Sequence, residues 1–363
     1  MLKLNGSFGE GGGQIVRTAL ALSAITGKPF EVSGIRKGRC DSGLKAQHLY
    51  CVKALEELCN AKTEGAELAS CHLKFHPGEI KSKTISVDVG TAGSISLLLQ
   101  ALLPPAMFAN SSLRLKITGG TEGKFAMPYD YFAEVLVPHL RKYAGIEVSL
   151  LKRGYFPKGG GKVEIKIRPE FKLPGYDNFE KFHEAFKEKC RKINLMQQGR
   201  LIQIKGISHA SKELEKAEVA ERQARAAKLA LSKFECPLNI NSEYSETLST
   251  GSGIALWAVF SSGEEIDFNN PVIIGADALG ERGKRAEIVG KEAAENLIKE
   301  IESKAPVDHH LADQILPFMA LAGKSSIKVS EVTNHCRTNI YVIEQFLGKV
   351  FEVDEKEKVI TTV

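Results

Sequence analysis

Apolar positions recur at helical spacing over residues 14–26, at Ile15, Ala19, Leu20 and Leu22, directly behind the glycine run Gly9-Glu-Gly-Gly-Gly13. Residues 30–35 predict a strand, residues 42–59 a helix closing near Asn60, and residues 73–75 and 84–89 alternate as strands. Gly90-Thr-Ala-Gly93 then opens a strongly apolar helix over 94–103 that Pro104-Pro105 should stop. A strand at 112–118, a helix at 129–143 and strands at 147–151 and 163–167 follow.

Residues 170–199 are polar and charged, which predicts a surface helix over 179–192 and a linker. Strands at 201–208 and 254–261, a helix at 217–231, a return strand from 268 and a long helix at 284–303 come next. The chain ends on a helix from 310 to 322, a strand at 326–329, a helix at 338–346 and a strand near Val359. Three times a turn opens a buried-looking helix, at 11–26, 93–103 and 311–321, which suggests repeated units around a shared core. The fold class expected is α/β (α+β): a large domain of repeated βα-type units over 1–172 and 280–363, and a smaller inserted α/β domain over 173–279 with an extended lead-in.

Composition changes this picture little. Of the 363 residues, 43% are hydrophobic and 26% charged, the range of a soluble globular protein, and a net charge of +5 permits a polyanionic partner without demanding one. The seven cysteines form no CxxC pair, so neither a disulfide framework nor a four-cysteine zinc site is expected. No apolar run approaches the roughly 20 residues of a membrane helix, and the start has no long apolar leader. The expectation is a reduced, cytoplasmic protein.

The usual phosphate cradles fail. Gly323-Lys-Ser325 has the tail of a P-loop, but Phe318 stands where its first glycine belongs. Gln14 occupies the last glycine position of a dinucleotide fingerprint begun at Gly9, and no Asp-Gly is present for a lysine-adenylating ligase. Cys71-His72 with His76 lacks a fourth ligand at zinc spacing, and His309-His310 should point to opposite sides of a helix.

Four segments read together carry more: Gly9-Glu-Gly-Gly-Gly-Gln-Ile-Val-Arg17, Ile35-Arg-Lys-Gly-Arg39, His310-Leu-Ala-Asp-Gln314 and Asn334-His-Cys-Arg-Thr-Asn-Ile340. With Gln47-His48, Gly93-Ser94 through Gln100, Gly119-Gly120-Thr121, Pro128-Tyr-Asp130 and Gly154-Tyr-Phe-Pro-Lys-Gly-Gly-Gly161, in this order, the chain resembles the RNA 3′-terminal phosphate cyclase family. The resemblance implies an ATP-dependent enzyme that converts an RNA 3′-phosphate to a 2′,3′-cyclic phosphate. It does so through a covalent histidine–AMP and an RNA-adenylate.

The resemblance assigns the nucleophile to His335, whose imidazole offers a neutral nitrogen near pH 7, with Asn334 or Thr338 orienting the ring. It assigns nucleotide contacts to Gln100, Pro128, Tyr131, His310, Asp313 and Gln314, with Mg²⁺ or Mn²⁺ on the hard carboxylate of Glu10. Arg17, Arg36, Arg39 and Gln47 would face the RNA 3′-phosphate, where guanidinium forks suit a doubly charged group. RNA and ATP are the expected partners, with no membrane and no stable protein partner. Two other classes compete: a non-catalytic cyclase-like factor of ribosomal RNA processing, and an enolpyruvyl transferase of similar repeated architecture. Labelling with α-labelled ATP separates them from the cyclase.

Overall fold

The computed structural model describes the whole chain except residues 10, 125, 262 and 264–266, so Glu10 lies outside the described residues. The first repeat places α1 (Gln14–Thr26) between β1 (Leu2–Asn5) and β2 (Phe30–Ser33), and continues through α2 (Ala46–Cys59), β3 (Lys62–Glu64) and β4 (His72–His76). Its strands lie in the order β1-β2-β4-β3; β1 and β2 are parallel and the other pairs antiparallel. The second repeats this with β5 (Thr84–Asp88), α3 (Ile95–Ala106), β6 (Leu113–Gly119), β7 (Ala144–Lys152) and β8 (Gly161–Pro169), in the order β5-β6-β8-β7. Its second helix is composite: α4 (Tyr129–Tyr131), a π-helical stretch Phe132–Leu136 and α5 (Val137–Leu140). Pro138 has no N–H to give the Glu134 carbonyl, which is where the ladder widens.

Next come α6 (Phe179–Lys189) and the short β9 (Asn194–Leu195), then a different unit: β10 (Arg200–Ser211), α7 (Val219–Leu231), β11 (Leu238–Ser245), β12 (Ser252–Ser261), β13 (Val272–Leu279) and α8 (Ala286–Glu302). Its sheet runs β11-β10-β12-β13, with α7 and α8 packed on each other and on the sheet. The chain closes with α9 (His309–Ala322), β14 (Ser326–Lys328), α10 (Asn334–Leu347), β15 (Phe351–Asp354) and β16 (Val359–Thr362). Here β9 pairs parallel with β14 in the order β15-β16-β14-β9, the same pattern a third time. The three expected repeat helices are α1, α3 and α9. We propose that the insert spans β10 to α8, so that 173–195 and α8 each fall on the opposite side of the division expected at 172/173 and 279/280.

The lead-in is not a solvated linker. Phe179, Phe182 and Phe186 of α6 are buried, and Phe182 and Phe186 pack edge-on against Phe108 at 5.3 and 5.2 Å. The charged residues that suggested a surface helix form its outer face only. Nor do the prolines end α3 at residue 103: both rings are buried, and Met107 N–H closes the last turn on Leu103 O at 3.0 Å. All thirteen residues of α1 are buried, because α3 and α10 cover it. No helix among the described residues is long and apolar enough to cross a membrane.

Candidate active site

Helix beginnings converge on the site. Gly9 and Gly11 adopt φ of 57° and 56°, which favours glycine, and no side chain caps the α1 N-terminus. Those N–H groups face whatever the loop encloses. Gly13 has no room for a side chain: a Cβ there would lie 1.8 Å from Nε2 of the buried His48. At the head of α9, the buried Asp308 carboxylate accepts from His310 N and Leu311 N (2.9 Å each), Tyr131 Oη (2.6 Å) and Gly275 N (2.9 Å). One N-cap thus ties the third repeat to the second and to the inserted unit.

The helix carrying His335 starts four residues earlier than expected. Thr333 accepts from Cys336 N at 3.2 Å and caps α10, which puts His335 in the first turn. Its Nδ1 lies 2.5 Å from Gln14 Oε1. Gln14 Nε2 donates to Asp313 Oδ2 at 2.7 Å, which fixes the amide so that its oxygen faces the ring. An amide oxygen only accepts, so Nδ1 carries a proton, which in the neutral ring leaves the lone pair on Nε2. Neither Asn334 nor Thr338 supplies this bond, although the sequence left the choice between them. Asn339 instead braces the helices, donating to Asp313 O at 2.8 Å and accepting from Thr18 Oγ1 at 2.6 Å.

The relay continues. Gln314 Nε2 donates to Asp313 Oδ2 (3.1 Å), Gln100 Nε2 to Gln314 Oε1 (2.9 Å) and Arg17 Nε to Gln100 Oε1 (2.8 Å). Four helices, α1, α3, α9 and α10, share one network. A cavity of about 540 Å³ opens beside it, within the roughly 300–1,000 Å³ of small-ligand sites. Gln14, Arg17, Gln100, His310, Asp313, Gln314 and His335 line one side; Asp277, Leu279, Glu281 and Lys284 of the inserted unit line the other.

Not every expected residue reaches it. Tyr131 stands behind His310, edge-on at 6.0 Å, its hydroxyl spent on Asp308 and its ring buried. Pro128 is buried at the start of α4, and the adjacent Ala126 and Met127 meet the cavity instead. His309 and His310 do not diverge; their rings lie 3.9 Å apart, and His309 Nδ1 pairs with Glu300 Oε1 at 2.5 Å. Arg36, with φ of 58°, is half-buried, and its charge acts on Arg17. A terminal nitrogen of the exposed Arg39 lies 3.9 Å from where a Cβ on Gly12 would sit. Gln47 is half-buried at the start of α2.

Burial sets the site's protonation. The Asp313 carboxyl is pushed up to about 6 by burial, against the pull of His335, Gln314, Arg17 and Gln14. Burial, then the neighbouring His309, takes His310 down to about 4, so that ring is neutral. Sequence reasoning missed Gln14, Asn339, Asp308 and Asp277. An N-cap aspartate before a helical run was a readable signal for Asp308; the other three depend on which helices meet.

A second buried network, whose side chains do not line the cavity, lies between the second repeat and the inserted unit. Arg153, 1% exposed, donates from Nη1 to Glu122 (3.0 Å) and Asp130 (2.9 Å) and from Nη2 to Glu243 (3.2 Å). His209 Nδ1 meets Tyr155 Oη at 2.7 Å, and its Nε2 lies 3.5 Å from Glu122.

The model of the family described as RNA 3′-terminal phosphate cyclase matches residues 8–353. The chain is similar to the RNA 3′-terminal phosphate cyclase of Pyrococcus furiosus, 46% identical over 97% of this chain and 95% of the relative. It is also similar to the proteins of that name from Archaeoglobus fulgidus, 42% identical over 99% of this chain and 100% of the relative, and Methanosarcina acetivorans, 45% identical over 98% of each.

Proposed function

The chain belongs to the RNA 3′-terminal phosphate cyclase family, and we propose that it uses ATP to close the 3′-phosphate of an RNA end onto the neighbouring 2′-oxygen, with His335 as nucleophile. The observation that carries this reading is the Asp313–Gln14–His335 relay, which holds one imidazole by its Nδ1–H in the wall of a nucleotide-sized cavity and makes Nε2 the nucleophilic nitrogen of the neutral ring.

In the first step Nε2 attacks the α-phosphorus of ATP, a P–N bond forms and pyrophosphate leaves with the electron pair of the P–O bond. The ring becomes cationic as its nitrogen is phosphorylated. Nδ1–H then strengthens its bond to Gln14, and the ionised Asp313 behind it offsets the charge. In the second step an oxygen of the RNA 3′-phosphate attacks the same phosphorus and displaces neutral imidazole. In the third the ribose 2′-oxygen attacks the 3′-phosphorus, loses its proton to solvent and expels AMP, a far better leaving group than oxide.

Gln100, Asp313 and Gln314 offer donors and acceptors for a ribose, and His310, neutral and backed by Tyr131, a face for the base. Arg17 lines the cavity and would meet the α-phosphate and the RNA phosphate, with Arg39 beside Gly12 of the glycine loop, and Arg36 and Gln47 would complete the site for the RNA end. Glu10 would hold Mg²⁺ or Mn²⁺, whose charge would offset that of the phosphates; a carboxylate is a suitable hard donor for either ion. With α-labelled ATP, Mg²⁺ and 3′-phosphate RNA, the unaltered protein gains one AMP and cyclises the RNA. His335→Ala does neither while its unfolding temperature stays unchanged. AMP retained on the variant would move the nucleophile elsewhere. An unaltered protein that never acquires AMP would favour the RNA-processing scaffold.

A further inference from the structure

The cavity is chemically lopsided. Arg17 and the α1 N-terminus stand at the end that holds His335, whereas the wall supplied by the inserted unit carries carboxylates. Apart from Asp277, the charged groups there are paired: Glu292 with Lys284 within the inserted unit, Glu281 with Lys124 of the second repeat at 3.1 Å, and Glu300 with His309 at the head of α9. Asp277 differs. Its backbone carbonyl accepts from Asn296 Nδ2 at 3.3 Å, but among the described residues its carboxyl takes part in no hydrogen bond or ion pair. A half-buried carboxyl without a protein partner in a cavity wall is placed to accept from whatever the cavity holds.

The strand aims it. In β13 residues two apart share a face, so Asp277 points the same way as Gly275. Gly275 lies flat on the Tyr131 ring, where a Cβ would come within 2.5 Å, and its N–H is held by Asp308. Tyr131 in turn backs His310. Asp277 therefore lines the cavity on the strand face that packs on Tyr131, and its charge acts on His309, whose ring lies 3.9 Å from that of His310.

We propose that Asp277 reads the exocyclic amino group of the nucleotide base, so that the inserted unit sets base choice while the repeats carry the chemistry. This rests on the reading that ATP occupies the cavity with its α-phosphate at His335. Burial pushes the Asp277 carboxyl up to about 7, so near neutrality it can accept from an amine through one oxygen and donate to a ring nitrogen through the other, the pattern of adenine's 6-amino edge.

The test compares self-labelling kcat/KM with ATP and with purine riboside triphosphate, which differs only in lacking the 6-amino group. The unaltered enzyme should prefer ATP by about 3- to 10-fold, the range of one hydrogen bond between neutral groups. Asp277→Ala should bring the ratio close to one, and Asp277→Asn, whose amide oxygen still accepts, should keep part of it. A ratio near one in the unaltered enzyme overturns the proposal without any variant. So does an equal loss on both nucleotides in Asp277→Ala, which would assign the residue to phosphate or metal. An unaltered enzyme that labels with neither nucleotide sinks the adenylation reading itself and takes this inference with it.

Discussion

Two buried polar networks bridge parts of this molecule, and they differ in what they are closed against. Around Asp313 one carboxylate meets two amides and, through Gln14, an imidazole, and one side of the network is cavity wall. Around Arg153 three carboxylates share one guanidinium, with His209 alongside, and Glu122, Asp130 and Arg153 are all 4% exposed or less. Burial pushes the Glu122 carboxyl upward and keeps His209 neutral, so the second network is held by the fixed charge of its arginine. Burial of charge alone does not identify an active site. What distinguishes the first network is that it holds His335 by Nδ1 in a cavity wall; the second joins β10 and β11 to the second repeat.

The largest effect that would sharpen this contrast comes from the Arg153 network. Arg153→Met leaves Glu122 and Asp130 buried without their cation and should remove about 3–5 kcal/mol of stability, read by chemical denaturation. In the fraction still folded, labelling per molecule should stay near normal. A loss of labelling without loss of stability would make the two networks one.

Asp313→Asn should act in the opposite sense. It keeps the shape and an acceptor for Gln14 but removes the charge behind His335, so labelling should slow about 10- to 100-fold with little change in stability. The pH dependence follows from the same carboxyl. Its folded value, about 6, lies above its ordinary one, so its contribution to stability is complete below about pH 4 and is lost as pH rises through 6. Activity needs the ionised form and should fall as pH drops through about 6 in the unaltered enzyme. A profile through that range that is identical in Asp313→Asn would remove Asp313 from the chemistry.

The smallest effect belongs to the exposed rim. Arg39→Ala should raise KM for 3′-phosphate RNA about fivefold, roughly 1 kcal/mol, with self-labelling within twofold of normal. An unchanged KM would place the RNA end elsewhere.

Much of this was legible in the chain. The apolar period after Gly13 gave α1 with both ends correct, and the three glycine or Ala-Asp turns marked α1, α3 and α9 as equivalents. The segment around His335 carried the family by residue type and order, because a nucleophilic imidazole, a phosphate-binding loop and arginines are demands of chemistry that local sequence must meet. The helix bearing His335 was placed too late because its cap, Thr333, was passed over. The polar outer face of α6 hid its buried phenylalanines, since a charged stripe says nothing about what covers the other side.

Which residue orients His335 was beyond the sequence: Gln14 lies 321 positions away, and only the packing of α1 against α10 brings the two within a hydrogen bond. The same holds for Asp277 in the cavity wall and for β9 as the first strand of the third repeat, separated from the rest of it by the inserted unit. Periodicity, caps and motifs are properties of neighbouring residues, and the chain fixed those by itself. Proton position, the open or sealed state of a buried charge and the partner across a cavity are set by distances between remote segments, and tertiary structure alone decided them.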